Sequence, residues 1–324
     1  MKIGIICFAT NNYITFFEQY YKSFKQNFLP DIDKKFFVII NGDVSRIQKY
    51  CEQFIDSDCV FLKCEINDYN TAFIQKAYAT AQICKSEKVK DCDLILNSNI
   101  NFNCVKHITN LSDMYDNNKN ATLIQLHTAD NSQFDYEINP ISSCYCDRRF
   151  GKHYIRGGLV FTTPQNMAML YDNILELLLK DYYNGFKPVW NDESALNKIA
   201  YGNEQNFKIL HTSAACPIFG SIQEYEKLHK ESSDIDIYFS ILEKRWFFKD
   251  YKFDLNEKFN FPEPYTHLFL TVYGILKVNG NKGIFLQNRL TVDNVEFIDN
   301  ESIILQNGGK SVKLNYNKLY RIWY

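Results

Sequence analysis

Short apolar runs alternate with amphipathic stretches through the first half of this chain, and this alternation constrains the fold more than any other feature. Apolar runs occupy residues 2–10, 36–40, 59–64 and 94–96, and a helical pattern follows each of the first three. Strands that alternate with helices predict a mostly parallel, doubly wound sheet with helices on its faces. We therefore expect an α/β fold.

The sequence pattern changes near residue 255. Beyond this point, short runs with β-type alternation are separated by the turn pairs Asn279-Gly280, Asp299-Asn300 and Asn307-Gly308. Such pairs are typical of tight turns between antiparallel strands. The sequence therefore predicts a main α/β domain over residues 1–255 and a small antiparallel β appendage over residues 256–324.

Charge and hydropathy exclude several classes of protein. The 324 residues include 36 Lys and Arg against 38 Asp and Glu, so there is no basic footprint and we expect no nucleic-acid partner. The longest apolar runs fall well short of the roughly 18 residues that suggest a transmembrane span. The ten cysteines form no C-x-x-C pair, which favours reduced thiols in a cytoplasmic protein.

Two asparagines follow the apolar run at residues 94–96. Asn97 and Asn99 are two positions apart, so they share one face of a strand that ends there. The carboxyl ends of strands in open α/β sheets are where ligands bind. An amide is a poor ligand for a hard divalent cation, so the pair predicts a ligand site without metal. The alternative is that both residues only end the strand and begin a turn.

Asp192 and Glu193 stand together at the start of a predicted helix and are the strongest acid/base candidates. Adjacent carboxylates repel each other, so one can be held by a cation while the other acts. The alternative is that both only complement the positive end of the helix. Trp190, just before them, is either a core residue or a platform for a sugar ring.

Gly157 and Gly158 lie inside an apolar strand pattern. Glycine weakens a strand, and its usual reasons there are a bulge or the close approach of a ligand to the backbone. The sequence leaves both open.

Separated motifs together resemble glycosyltransferase family 6, which includes the blood-group A and B transferases and the α1,3-galactosyltransferase. Residues 8–13 resemble the family's Phe-Ala-x-x-x-Tyr, and residues 97–99 fall where the family has Asp-x-Asp. Residues 190–197 are similar to Trp-His-Asp-Glu-Ser-His-Leu-Asn, which is the most specific match. The resemblance implies the Rossmann-like fold called GT-A, and Asn-x-Asn is the form found in bacterial members that work without metal.

The resemblance also implies roles for individual residues. Those implied to bind the donor are Phe8, Ala9, Thr10 and Tyr13 at the nucleoside, Asn97 and Asn99 at the strand end, and Arg156, Gly157, Gly158 and Asp192 at the sugar. Cations implied to neutralise the diphosphate are Lys76, where the alignment can slip by one to Gln75, and Lys244 with Arg245 as a lid in the tail. Glu193 is implied to be catalytic, and residues implied to contact the acceptor are His127, Trp190 and Glu193.

The activity implied by the resemblance is transfer of GalNAc from UDP-GalNAc, with retention, to the 3-hydroxyl of a fucosylated galactose on an oligosaccharide or glycolipid. No divalent metal is expected. The setting implied is the bacterial cytoplasm, with peripheral association at the inner face of the membrane. Two alternatives stay open: a galactosyltransferase that uses UDP-Gal, and an inactive sugar- or nucleotide-binding protein. Arg156, Asn191 and Ala195 depart from the family pattern.

Overall fold

The computed structural model shows two compact units, Met1–Leu242 and Glu243–Tyr324. The residues that it describes are 1–41, 43–56, 58–64, 71–126, 134–218, 237–242, 266–271, 274–279, 282–285, 291–297, 302–307 and 309–322. The domain boundary expected near residue 255 lies outside them. Among the described residues, no helix has the length and apolar character needed to cross a membrane.

The first unit contains a main sheet of seven strands and a smaller sheet of three strands. Its described strands are, in chain order, β1 (Lys2–Phe8), β2 (Asp33–Ile40), β3 (Cys59–Lys63), β4 (Leu94–Ser98), β5 (Phe102–Cys104), β6 (Ala121–Gln125), β7 (Ile155–Thr162), β8 (Phe207–Leu210), β9 (Ala215–Ile218) and β10 (Phe239–Leu242). The main sheet has the order β3-β2-β1-β4-β7-β6-β8. Its pairs are parallel except those of β7, which runs antiparallel to β4 and to β6. The predicted mostly parallel α/β sheet is therefore confirmed.

Helices cover both faces of this sheet. The described α-helices are α1 (Phe17–Asn27), α2 (Val44–Cys51), α3 (Ala72–Lys85), α4 (Leu111–Met114), α5 (Pro164–Tyr183) and α6 (Asp192–Ala200). Alternation along β4 decides which face each helix meets. Ser98 contacts Tyr20 of α1, with 2.6 Å between their hydroxyl oxygens, whereas Asn97 points the other way and reaches Tyr171 of α5. Helices α3, α5 and α6 share one apolar core with the sheet on that second face.

A smaller sheet joins β5, β10 and β9 in that order. Phe239 of β10 is fully buried, and its ring lies 5.9 Å from the ring of Phe24 in α1. The sequence pattern did not predict β9 and β10. Strands of four residues carry little periodicity, and their pairing partners are distant in the chain.

The second unit is an antiparallel sheet, as predicted for the appendage. Its described strands are β11 (Thr266–Thr271), β12 (Gly274–Asn279), β13 (Lys282–Phe285), β14 (Thr291–Val292), β15 (Asn294–Phe297), β16 (Ser302–Asn307) and β17 (Lys310–Ile322). They follow the order β14-β13-β12-β11-β17-β16-β15. Only Asp293 separates β14 from β15, although these strands lie at opposite ends of the order. The sheet must therefore curl until its two ends meet.

Candidate active site

A strained turn introduces the two acidic residues at the start of α6. Asn191 has φ 53° and ψ −121°, the conformation of the second residue of a type II′ turn, which glycine normally occupies. The Glu193 N–H donates to the Trp190 carbonyl at 3.1 Å and closes this turn. A non-glycine residue in this region costs about 1–3 kcal/mol, so the surrounding contacts must hold the turn in place.

Asn197 fastens α6 to β7. Its side chain exchanges two hydrogen bonds with the backbone of Ile155, both at 2.8 Å. The same amide nitrogen also donates to the Glu193 carbonyl at 2.9 Å. Because Asn197 is buried, these bonds are shielded from water. The first turn of α6 is consequently fixed against the strand that carries Gly157.

The Glu193 carboxylate is held at both oxygens. The Tyr154 hydroxyl donates to Oε1 at 2.9 Å, and the Gly157 N–H donates to Oε2 at 2.7 Å. Burial raises the pKa of Glu193, and repulsion by Asp192 adds to the increase, whereas the two hydrogen bonds and nearby Arg156 lower it. Both bonds favour the ionised form, so this carboxylate suits a nucleophilic or electrostatic role.

Lys76 of α3 carries a positive charge into the same site. Its Nζ atom lies 2.9 Å from Asp192 Oδ2 and 3.3 Å from Asn99 Oδ1. Both members of the Lys76–Asp192 ion pair are mostly buried. Gln75 instead contributes to a cavity of about 570 Å³ that is also lined by Ile39 and Leu62. The structure thus places Lys76, and not Gln75, against Asp192.

Asn97, which lies in β4, and Asn99, which lies just after β4, have different surroundings. Asn97 is buried, and its Nδ2 atom donates to the Tyr171 hydroxyl at 2.5 Å. Asn99 faces Lys76, and its backbone N–H donates to the Gly158 carbonyl at 2.8 Å. Only Asn99 of the two contacts the cation of the site. Asn97 contacts Tyr171 instead, and the pKa of Tyr171 is raised by burial and then by the charge of Asp192.

The two glycines of β7 are explained by close packing within the protein. A Cβ atom on Gly157 would lie 2.9 Å from the Glu193 Cβ atom. On Gly158 it would lie 2.6 Å from the ring of Phe102 and 3.2 Å from Asn99 Nδ2. Glycine is therefore required at both positions for the strand to approach these side chains.

The end of β1 lies beside the end of β4. Ile6 is opposite Asn97 in the parallel register, so Phe8 comes level with Asn99 two residues later. The Ala9 N–H donates to the Ile39 carbonyl at 2.8 Å, and the Tyr13 N–H donates to the Thr10 carbonyl at 3.1 Å. Of the predicted nucleoside-binding residues, Phe8 thus ends the strand next to β4, and Ala9, Thr10 and Tyr13 follow it.

The predicted acceptor residues are only partly described. The Trp190 side chain is 47% exposed, which suits a surface that a sugar ring can reach. Buried Glu137 accepts from the Val189 N–H at 2.8 Å and holds the chain just before this tryptophan. Three predicted site residues, His127, Lys244 and Arg245, lie outside the described residues.

Reasoning from the sequence missed Tyr154 and Tyr171. Tyr154 directly precedes β7, and Tyr171 lies on the buried face of α5, where an aromatic residue is typical of a core. Only the contacts of their hydroxyl groups distinguish them from ordinary core tyrosines. Within the described ranges, no cluster of three or more His, Cys, Asp or Glu side chains has an arrangement that could hold a metal ion.

A mostly parallel sheet with an antiparallel β7 gathers a cation, amides and two carboxylates beside the carboxyl end of β4. These features define an α/β protein with a candidate ligand site at the carboxyl ends of its strands. The model of the family described as Glycosyltransferase family 6 matches residues 1–213. This covers well over half of the chain, and the chain belongs to that family. A search of curated proteins found no match. Membership implies a nucleotide-sugar donor and a glycan acceptor.

Proposed function

We propose that this glycosyltransferase moves GalNAc from UDP-GalNAc, with retention of configuration, to the 3-hydroxyl of a fucosylated galactose without a divalent metal. The observation that carries the proposal is the arrangement of Glu193 and the Lys76–Asp192 pair. The Glu193 carboxylate accepts hydrogen bonds at both oxygens, and the adjacent Asp192 pairs with the partly buried ammonium of Lys76. Transfer of a glycosyl group from a diphosphate needs a negative charge that stabilises the sugar and a positive charge that stabilises the diphosphate leaving group.

Glu193 acts on the sugar. When the bond between the anomeric carbon and UDP breaks, the electron pair leaves with UDP and positive charge develops on the sugar. The Glu193 carboxylate stabilises that charge or attacks the anomeric carbon as a nucleophile. Same-side displacement without a covalent intermediate is the alternative route to retention. Asp192 binds hydroxyl groups of the donor sugar.

Lys76 acts on the diphosphate. Developing charge on a leaving group is where preorganised electrostatic stabilisation has its largest effect. Asn99 Oδ1 and Asp192 Oδ2 both face the Lys76 ammonium, and an amide is a poor ligand for Mg²⁺ or Mn²⁺. These residues do not fit a divalent cation, which supports a site of the Asn-x-Asn, metal-independent type. Lys244 and Arg245 are further candidates for the phosphates.

The choice of donor sugar rests on Arg156, Gly157 and Gly158. In the family, two glycines at the last two positions go with GalNAc, which supports UDP-GalNAc. The close packing of Gly157 on Glu193 and of Gly158 on Phe102 is a second reason for the same glycines. UDP-Gal therefore stays the alternative donor, because these glycines are needed whichever sugar binds.

The remaining parts of the proposal follow from the family. Phe8, Ala9, Thr10 and Tyr13 bind uracil and ribose, and Trp190 with His127 contacts an oligosaccharide or glycolipid acceptor. We place the enzyme in the bacterial cytoplasm, with peripheral association at the inner face of the membrane.

The test is a donor screen on a fucosylated galactoside, with and without EDTA. We expect UDP-GalNAc to be the preferred donor, EDTA to leave the rate unchanged, and Mn²⁺ to raise it little. Loss of turnover in EDTA with recovery on Mn²⁺ would contradict the metal-free site. A preference for UDP-Gal would assign the alternative donor. If UDP binds but neither donor releases UDP, even to water, the chain is a binding protein.

Two variants, the second with a matched control, test the assigned residues. Glu193→Gln should abolish transfer while UDP binding stays detectable by calorimetry, because only the charge that acts on the sugar is lost. Lys76→Met should lower kcat/KM by about a hundredfold, within the range for one lost electrostatic contact in a transition state. The matched control is Lys85→Met, since Lys85 is also on α3 and pairs with Asp172 at 2.7 Å on an exposed surface. Equal effects of the two lysine variants would contradict the role of Lys76.

A further inference from the structure

We infer that Tyr154 is a positioning residue of this enzyme, whose hydroxyl group orients the Glu193 carboxylate toward the anomeric carbon. The inference rests on the function proposed for Glu193 and adds the group that holds it. The Tyr154 hydroxyl donates to Oε1 at 2.9 Å, and the Gly157 N–H donates to Oε2 at 2.7 Å. A carboxylate held at both oxygens, by Tyr154 just before β7 and by Gly157 within β7, keeps the orientation of its plane.

The Tyr154 hydroxyl is itself held in place by packing. The residue is buried at 1% exposure, and its ring lies 5.5 Å from the ring of Tyr136 and 6.1 Å from that of Phe134. A tyrosine ring in such a cluster has little freedom, so its hydroxyl group reaches one defined point. Positioning of a reacting group requires this kind of rigidity.

Neighbouring tyrosines show that this contact is specific to Tyr154. The Tyr136 hydroxyl donates to the His153 carbonyl at 2.6 Å, and the Tyr201 hydroxyl donates to the Asp147 carbonyl at 2.9 Å. Both of these bonds hold the backbone. Of these three tyrosines, which pack in one aromatic cluster, it is Tyr154 whose hydroxyl group donates to a carboxylate of the site.

The charges around Glu193 determine how far the hydrogen bond from Tyr154 must lower the pKa of the Glu193 carboxyl group. The titratable and charged groups that face Glu193 or its partners are Asp192, Arg156, Tyr154, Lys76 through its pair with Asp192, and Asp135 on the Tyr154 side. Burial and Asp192 raise the pKa of Glu193, while the bonds from Gly157 and Tyr154 lower it. Removal of the Tyr154 hydroxyl therefore raises this pKa, because one group that favours the ionised form is lost.

The experiment compares Tyr154→Phe with Tyr201→Phe, a matched removal of one hydroxyl from the same aromatic cluster. We expect Tyr154→Phe to lower kcat by about tenfold to a hundredfold, the effect of one hydrogen bond to a charged group, with KM for the donor unchanged. The acid limb of its pH–rate profile should move to higher pH. Tyr201→Phe should leave kcat and the profile unchanged. Equal kcat and equal profiles in Tyr154→Phe and the wild type would overturn the inference.

A second measurement does not depend on turnover. The Glu193 carboxyl carbon, labelled with ¹³C and assigned with Glu193→Gln, is titrated by NMR in the wild type and in both tyrosine variants. A higher pKa of Glu193 in Tyr154→Phe, with no change in Tyr201→Phe, supports the inference. This holds even if the wild type transfers no sugar, because absence of transfer would refute only the proposed function. An unchanged pKa in a Tyr154→Phe protein with native thermal unfolding overturns it.

Discussion

Glu193 lies beside Asp192, and its two hydrogen bonds offset only part of the loss of water around its carboxylate. The pKa of this carboxyl group is consequently raised in the folded chain, so the folded state keeps its proton to a higher pH than the unfolded state does. Stability then falls as the pH rises from the ordinary carboxyl pKa, 4.5, through the pKa of the folded chain. The residue to which we assign a catalytic role therefore weakens the fold at neutral pH.

This linkage predicts that Glu193→Gln is more stable than the wild type at pH 7. Thermal unfolding measured from pH 7 down to pH 4 should show the advantage shrinking, because the wild-type carboxyl becomes neutral as well. Each 1 kcal/mol of stabilisation corresponds to about 2–4 °C for a domain of this size. Glu176→Gln is the control, since Glu176 is exposed and pairs with Lys180 on α5. A lower midpoint for Glu193→Gln at pH 7 would contradict the prediction.

Helix α6 and strand β7 act as one element of the site. The helix supplies Asp192 and Glu193, the strand supplies Gly157, and Asn197 joins the two through buried hydrogen bonds. The strained Asn191 turn adds a reason for this connection, because an unfavourable backbone conformation persists only when its surroundings hold it. The sequence octet at residues 190–197 thus contains both the carboxylates of the proposed site and the residue that anchors them.

We predict that Asn197→Ala lowers the free energy of unfolding by about 2–4 kcal/mol, since two backbone groups of Ile155 lose their buried partner. It should also lower kcat, because the first turn of α6 is no longer fixed against β7. Urea unfolding of the first unit and steady-state kinetics measure the two effects. Asn203→Ala is the control, because Asn203 bonds the Ile199 carbonyl at 3.3 Å on an exposed surface. Similar losses in both variants would mean that the connection has no special role.

Over the whole molecule, the described site residues all belong to the first unit. The family model ends at residue 213, but the first unit continues to Leu242 because β10 pairs with β5 and β9. The second unit has its own sheet, whose strands pair with one another. We therefore assign the transfer reaction to the first unit and give the appendage no part in it.

We predict that a chain ending at residue 255 folds and transfers sugar with the kcat of the full chain, because it keeps the sheet and the described site. A chain ending at residue 242 additionally lacks Lys244 and Arg245. If these two bind the diphosphate, it should bind UDP at least tenfold more weakly by calorimetry. Equal UDP affinity of the two truncated chains would exclude both residues from the donor site. Failure of the longer one to fold would contradict the independence of the first unit.

Local pattern in the sequence was enough to predict the class of fold. Buried strands and amphipathic helices leave a periodic signature within a few residues, so the mostly parallel sheet and the antiparallel appendage could both be predicted. The octet at residues 190–197 and the motif at residues 8–13 indicated the family, which the match over residues 1–213 confirms. Short strands such as β9 and β10 were missed because four residues contain too little periodicity.

The tertiary structure alone decided how the site is assembled. Lys76 meets Asp192 across 116 positions of the chain, and Asn97 meets Tyr171 across 74. No local pattern records such contacts, so the sequence could not choose between Lys76 and Gln75 or tell Asn97 from Asn99. The same holds for Gly157 and Gly158, whose need for glycine comes from side chains that the fold packs against them. Periodicity determines the elements, and long-range packing determines which of their side chains share one site.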